Sequence, residues 1–265
     1  MTTLKKILLT AALAVFTATA AAGAETSAMA RDTIFVGTES TFPPMEFRSS
    51  TGDLVGYDID LVEAIGEKLG KKIEWVDMAY DGLIPALTLR KIDMIAAGMT
   101  STAERRKKIA FTDPVTYGPA AFFVLKGNER ATAADFENSG LTIAAQLGTI
   151  QDIYAQKMSG VTVKNYTKTD DCLREVLYGR VDAALISGSV GYNYCVNSKD
   201  FAGRITLCAI VDVAPGTSGS AYGIDKSDTE LRTAVNAALA ELKESGALQA
   251  LRDKWHLDDW LKNSL

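Results

Sequence analysis

Short apolar runs alternate with amphipathic stretches along most of this chain, at spacings that fit strands and helices in turn. Thr33-Ile34-Phe35-Val36 reads as a strand that stops at Gly37-Thr38. From Ile59 to Gly70 the apolar positions Leu61, Val62, Ile65 and Leu69 fall on one helical face, and Gly70 closes the helix. Lys72 to Val76 predicts the next strand, Leu83 to Leu89 a helix, and Ile92 to Ala96 a further strand. A βαβαβ order of this kind predicts a parallel sheet covered on both faces.

The order then shifts. Ala120 to Leu125 is an apolar strand ending at Lys126-Gly127, and Leu141 to Ala145 begins a second βα series. That series continues as a helix over Ile150 to Met158, a strand over Val161 to Tyr166, a helix over Cys172 to Tyr178 and a strand over Ala183 to Ile186. Both series end on a basic turn followed by a hydrophobic residue and Asp: Leu89-Arg90-Lys91-Ile92-Asp93 in the first, Tyr178-Gly179-Arg180-Val181-Asp182 in the second. The repetition predicts two α/β lobes of related design. Asp228 to Ser245 reads as a helix with Leu231, Val235, Ala238, Leu239 and Leu242 inward, and an amphipathic segment from Ala247 to Leu261 is expected to pack with it on one lobe.

The first residues have a different grammar. Lys5 and Lys6 precede a short apolar stretch from Ile7 to Phe16, and Ala22-Gly23-Ala24 fits a small-x-small cleavage site. Residues 1–24 are therefore expected to be a removed secretory signal, the mature chain starting near Glu25 in the periplasm. No Cys follows the cleavage site to take a lipid anchor, and no later segment is apolar enough to cross a bilayer. The chain has 265 residues, 47% of them hydrophobic, enough for a large core in one or two domains. Its net charge of −5 offers no field for nucleic acid or anionic lipid. Three Cys (Cys172, Cys195 and Cys208) and one His show no metal-ligand spacing, so neither a metal nor a cofactor is expected. An exported chain permits a disulfide between Cys195 and Cys208; three buried thiols are the equal alternative.

Candidate chemistry concentrates between Ala97 and Pro114. Gly98 and Thr100 follow an apolar strand and Arg105 comes a few residues on. Free N–H groups at a strand-to-helix corner, a hydroxyl and a guanidinium are what a carboxylate needs. Crevices at strand ends are also where open α/β sheets bind ligands. A basic run such as Arg105-Arg106-Lys107-Lys108 is otherwise an ordinary solvated helix face.

Five segments in order resemble the polar amino acid-binding proteins of ABC importers, the extracellular solute-binding family 3. They are Gly37 to Phe47, Leu54 to Leu61, Tyr80 to Leu87, Ala97 to Asp113 and Gln146 to Thr149. The resemblance implies the two-lobed type II periplasmic-binding-protein fold. Residues 25–118 and 220–265 would form a discontinuous first lobe and residues 119–219 the second, with crossings near Tyr117-Gly118-Pro119 and Gly219-Ser220-Ala221. It also implies a monomer that closes around a small ligand and passes it to a membrane permease. Carried over residue by residue, Arg105 would fork onto the ligand carboxylate, with the amide and hydroxyl of Thr100 and the backbone N–H groups of Thr149 and Ile150 adding bonds. The carbonyls of Ala97 and Gly98 would accept from an ammonium. Phe42 and Tyr80 would sandwich the ligand side chain, Glu39 would meet its polar end, and Gln146 would tune specificity. For Glu39 a solvated acid is the equal alternative.

Two positions depart from the family's pattern. Ile150 stands where Thr is common, which removes a hydroxyl and keeps the backbone donor. Ser187 stands where the family commonly has an Asp that neutralises the ligand ammonium. A buried ammonium without a counter-charge is costly. Either Glu39 or another acid supplies that charge, or the ligand is not a plain α-amino acid. Exported dehydratases acting on prephenate or arogenate also look like this family, and Glu39 is the one candidate general acid for that alternative. A receptor sensor domain is disfavoured, since no membrane segment follows. Ser187→Asp is expected to tighten binding of an ordinary α-amino acid; calorimetry showing no gain for any of them contradicts the alignment at this position.

Overall fold

The structure, a computed structural model, describes residues 27–217 and 219–260. The expected signal over residues 1–24 lies outside the described residues. From the N-terminal side the chain forms β1 (Thr33–Thr38), β2 (Thr41–Phe42), β3 (Glu46–Arg48), β4 (Leu54–Val55), α1 (Tyr57–Leu69), β5 (Lys72–Asp77), α2 (Leu83–Thr88), β6 (Met94–Ile95), α3 (Ala103–Lys108) and β7 (Ala110–Thr116). It then builds β8 (Ala120–Leu125), β9 (Thr142–Gln146), α4 (Ile150–Ala155), β10 (Thr162–Tyr166), α5 (Thr169–Leu177), β11 (Ala183–Ser187), α6 (Gly188–Asn197) and β12 (Ile205–Val211). It ends with β13 (Ser220–Ile224), α7 (Thr229–Glu244) and α8 (Ala247–Lys254).

Two five-stranded sheets result, ordered β5-β1-β6-β13-β7 and β10-β9-β11-β8-β12. The chain leaves the first sheet after β7 and returns to it at β13. Within each βα series the strands are parallel, as expected: β1 with β5 and β6, β9 with β10 and β11. The sheets as wholes are mixed. β13 runs antiparallel to β6 and β7, and β8 antiparallel to β11 and β12. These strands arrive from the other lobe rather than through a crossover helix, which removes the requirement for parallel pairing. Ser220 and Ala221, expected in the second crossing, lie inside β13 and pair with β7.

Both sheets are covered on both faces. In the first, Ile34, Val36, Leu61, Ile65, Leu231 and Val235 share one cluster, and Leu83, Leu87, Ile92 and Ile95 another. In the second, strand alternation sends the neighbours Phe122 and Phe123 to opposite faces. The repeated hydrophobic-Asp pair has a structural role. Asp93 Oδ2 accepts from Phe35 N at 2.8 Å, and Asp182 Oδ2 from Thr142 N at 2.8 Å. Each lobe thus ties its first strand to the turn that follows its second helix with the same side chain.

Three elements escape the hydrophobic pattern. β7 contains Pro114, which argues against a central strand; β7 sits at a sheet edge, where a missing N–H is tolerated. Poor helix formers fill α6, including Gly188, Gly191 and Asn193, yet it packs closely on Phe123 of β8. β12 carries Cys208 and α6 carries Cys195, so the two thiols stand on separate elements; all three cysteines are free. Burial pushes the Cys195 thiol up to about 12.

The C-terminal segment differs most. A single amphipathic run to Leu261 was expected, but α8 stops at Lys254. His256 adopts φ 53°, and Leu257 N donates to Arg252 O at 3.1 Å, so the chain turns back on itself. Asp228 anchors the start of α7, the helix that precedes this segment. Its carboxylate caps α7 through Leu231 N (3.0 Å) and accepts from Ser27 Oγ (2.6 Å) and Ala28 N (2.9 Å). Asp228→Ala is expected to lower stability by about 2 kcal/mol in urea denaturation, from a lost cap plus two buried bonds. A loss under about 0.5 kcal/mol contradicts that role.

Candidate ligand-binding cleft

The carboxyl ends of β1 and β6 in one lobe face those of β9 and β11 in the other, and between them lies a cleft of about 770 Å³ counted to its mouth. Nine of the eleven residues expected to bind ligand line it: Phe42, Tyr80, Ala97, Gly98, Thr100, Gln146, Thr149, Ile150 and Ser187. They come from both lobes, as a closing cleft requires.

Gly98 is needed where it stands. It has φ 56°, and a Cβ there would meet Phe42 Cε1 at 2.6 Å, so the aromatic ring rests directly on its backbone. Its carbonyl accepts from Ser220 Oγ at 2.8 Å. Thr149 is the N-cap of α4; its hydroxyl accepts from Asp152 N at 3.1 Å and donates to Gln146 O at 2.7 Å. At the end of β11, Ser187 Oγ lies 3.2 Å from Ser189 Oγ.

Arg105 and Glu39 sit beside the cleft rather than in its wall. The Arg105 side chain is 8% exposed. Nη1 donates to Thr100 O at 2.8 Å in one lobe, and Nη2 to Gly148 O at 3.0 Å in the other. The guanidinium carbon lies 5.6 Å from the centre of the Tyr80 ring. The cation thus bridges the lobes through main-chain carbonyls at the edge of the cleft.

Glu39 is also buried, and it is not a solvated acid. Thr41 Oγ1 donates to its carboxylate at 2.8 Å and Gln146 Nε2 at 2.9 Å, the second bond crossing between lobes. Burial holds its carboxyl above the usual range, while those two donors pull it down. Around it Thr169 N donates to Thr41 Oγ1 (3.2 Å), Thr169 Oγ1 to Gln146 Oε1 (2.9 Å) and Tyr194 OH to Thr41 O (3.0 Å). A polar network therefore closes this rim.

Sequence reasoning missed the opposite rim. Arg252, Leu257 and Trp260, from the turned-back C-terminal segment, line the cleft with Met45, Thr116 and Ser189. Trp260 is 4% exposed and packs against Gly188 of α6, where a Cβ would meet its ring at 2.5 Å. The left-handed turn at His256 that delivers Leu257 and Trp260 has no signature in the hydrophobic period.

The profile of the bacterial extracellular solute-binding proteins, family 3, matches residues 34–258. The chain belongs to that family. It is 30% identical over 253 residues to the arginine-binding extracellular protein ArtP of Bacillus subtilis, covering 94% of this chain and 96% of the relative. An ancestral arginine-binding protein bound to arginine superposes with a TM-score of 0.78 at 36% identity, over 85% of this chain and 98% of that one. An ancestral amino acid-binding protein, described as a precursor of cyclohexadienyl dehydratase, also reaches 0.78 at 30% identity, over 86% and 96%. The two α/β lobes are thus those of the type II periplasmic-binding-protein fold.

Behind the floor of the cleft lies a pair of buried acids. Asp58, 1% exposed, accepts from Gly98 N (3.3 Å) and Tyr222 OH (3.1 Å). Glu46 is fully buried with neither carboxyl oxygen hydrogen bonded. Burial, then the neighbouring Asp58 charge, holds Glu46 well above the usual range; burial pushes Asp58 up to about 6. An acid with a raised native pKa binds more protons folded than unfolded. Its stabilisation is complete below the unfolded value and is lost as pH rises through the native value. The melting temperature is therefore expected to fall as pH rises from about 4.5 to 7.5, with Asp58 contributing up to about 3 kcal/mol. Asp58→Asn should flatten that slope in differential scanning calorimetry; an unchanged slope contradicts the assignment.

Proposed function

We propose that this protein captures an amino acid or a related small carboxylate between its lobes and delivers it, as an exported monomer, to the permease of an ABC importer. The observation that carries this reading is the cleft itself. Thr100, Gly98 and Phe42 from one lobe face Thr149, Ile150 and Ser187 from the other, and a buried guanidinium spans the gap beside them. Relatives named for arginine binding share the fold over nearly their full length. The ligand carboxylate enters between the Thr100 corner and the start of α4, where Arg105 supplies the positive charge. Because the same guanidinium also bonds to both lobes, ligand capture and closure are coupled.

The dehydratase alternative needs a carboxylic acid facing the ligand as proton donor. Among the described residues lining the cleft none is acidic, and Glu39 is engaged by Thr41 and Gln146. This supports capture without chemistry. In titration calorimetry with a panel of L-amino acids, Arg105→Ala is expected to weaken binding roughly 30-fold or more, the cost of removing one partner of a buried charged contact. Retained affinity overturns the site. Incubation with prephenate or arogenate is expected to leave both unchanged, and an aromatic product restores the enzymatic reading.

A further inference from the structure

We propose that the rim built by the C-terminal segment is a second binding compartment that takes an anionic group of the ligand, so that the protein selects amino acids carrying a second carboxylate over dibasic ones. The inference rests on the amino-acid-binding reading of this cleft. It stands on three observations.

The compartment is built from both lobes. α8 carries Arg252 to one wall, the turn at His256 brings Leu257 and Trp260 to the same wall, and Ser187 and Ser189 stand on the other. Trp260 packs on Gly188, the residue between those two serines, so the walls meet.

Its charge is of one sign. Among the described residues lining the cleft, Arg252 is the one charged side chain. Asp258 engages it through Nη2, but the Asp258 side chain is 47% exposed against 23% for Arg252. The carboxylate is therefore solvated from outside while the guanidinium borders the cleft. A guanidinium has five N–H donors in a planar fork, which leaves capacity for a second carboxylate. Leu257 and Trp260 suit the apolar stem of such a group, and the serine hydroxyls can donate to its oxygens.

At the opposite rim no acid is among the described residues lining the cleft. Glu39 is outside the cleft wall and engaged by Thr41 and Gln146. A ligand with a cationic side chain would meet Arg252 at one end and no acid in the cleft wall at the other, whereas an anion finds a donor fork.

The test is calorimetric titration of the mature protein with L-glutamate, L-glutamine, L-arginine, L-2-aminoadipate and N-succinyl-L-alanine. At least one of the di-acids should bind tenfold or more tighter than both L-glutamine and L-arginine. Arg252→Gln should bring the di-acid affinity to within threefold of L-glutamine, and Arg252→Lys should retain part of the preference, with melting curves of both variants reporting their folding. If the di-acid preference survives Arg252→Gln, or L-arginine binds tightest, while Arg105→Ala still abolishes binding, the second compartment is wrong and the amino-acid reading stands. Binding of no probe overturns both.

Discussion

A two-lobed protein closes only if contacts form across the gap, and here a single buried guanidinium makes the central pair. Arg105 donates to Thr100 O on one side and to Gly148 O on the other. Both acceptors are main-chain carbonyls, so the geometry depends on backbone position rather than on side-chain rotamers. Arginine suits the task because it has donors only and stays charged when desolvated. Thr102 caps the helix that presents it, through Arg105 N at 3.3 Å, and the Tyr80 ring limits its movement. The other cross-lobe contacts divide by chemistry. Glu39, Thr41, Gln146, Thr169 and Tyr194 make one rim polar, while Trp260 on Gly188 makes the other aromatic.

This division shapes the electrostatics of the cleft. Acidic side chains are close by, but they lie behind the wall. Asp58 and Glu46 sit beneath Gly98 and Phe42, and Glu39 is turned into the interlobe network. Burial and the neighbouring Asp58 charge hold Glu46 well above the usual carboxylate range, which weakens the negative field it would otherwise project through the floor. Gly98 links floor and wall, since its N–H donates to Asp58 while its carbonyl accepts from Ser220. Protonation behind the floor and hydrogen bonding at its surface therefore share one peptide segment.

Much of this architecture was legible in the sequence because it follows from period. The strands at Ile34, Ile73, Ile143 and Leu185 and the helices at Leu61 and Val176 are set by burial alone, and the paired Asp93 and Asp182 betray the repeated lobe. The strand ends carrying Gly98, Thr100 and Thr149 were found for the same reason, since a crevice opens where βα units face one another. What escaped depends on contacts distant in sequence. Nothing local distinguishes an Arg105 that bonds to Gly148 O from one aimed only at a ligand, nor an acid at 39 that a glutamine at 146 will satisfy. α6 and β7 defied propensity because Phe123 and an edge position support them. The terminal turn hinges on one left-handed residue, His256, whose conformation no hydrophobic pattern records.

Core and cleft are built from largely different residues, so one scaffold can accommodate a changed ligand. Sheet cores such as Phe122, Phe123 and Leu185 admit little variation, because packing penalises each altered methylene. Some residues at strand ends and in the terminal segment, such as Ser187 and Arg252, border the cleft outside these core clusters and are freer to change. Ser187 shows this most plainly. It follows the rigid apolar strand Ala183 to Ile186, is half-buried, and bonds only to a neighbouring hydroxyl. On the proposed reading, an uncharged group at that position and a guanidinium at Arg252, paired with Asp258 on its outer side, both act on the charge a ligand meets between the lobes. On that reading selectivity is a matter of charge placed on a fixed frame: the lobes enclose a small ligand, and a few side chains at the rims set which charge it carries.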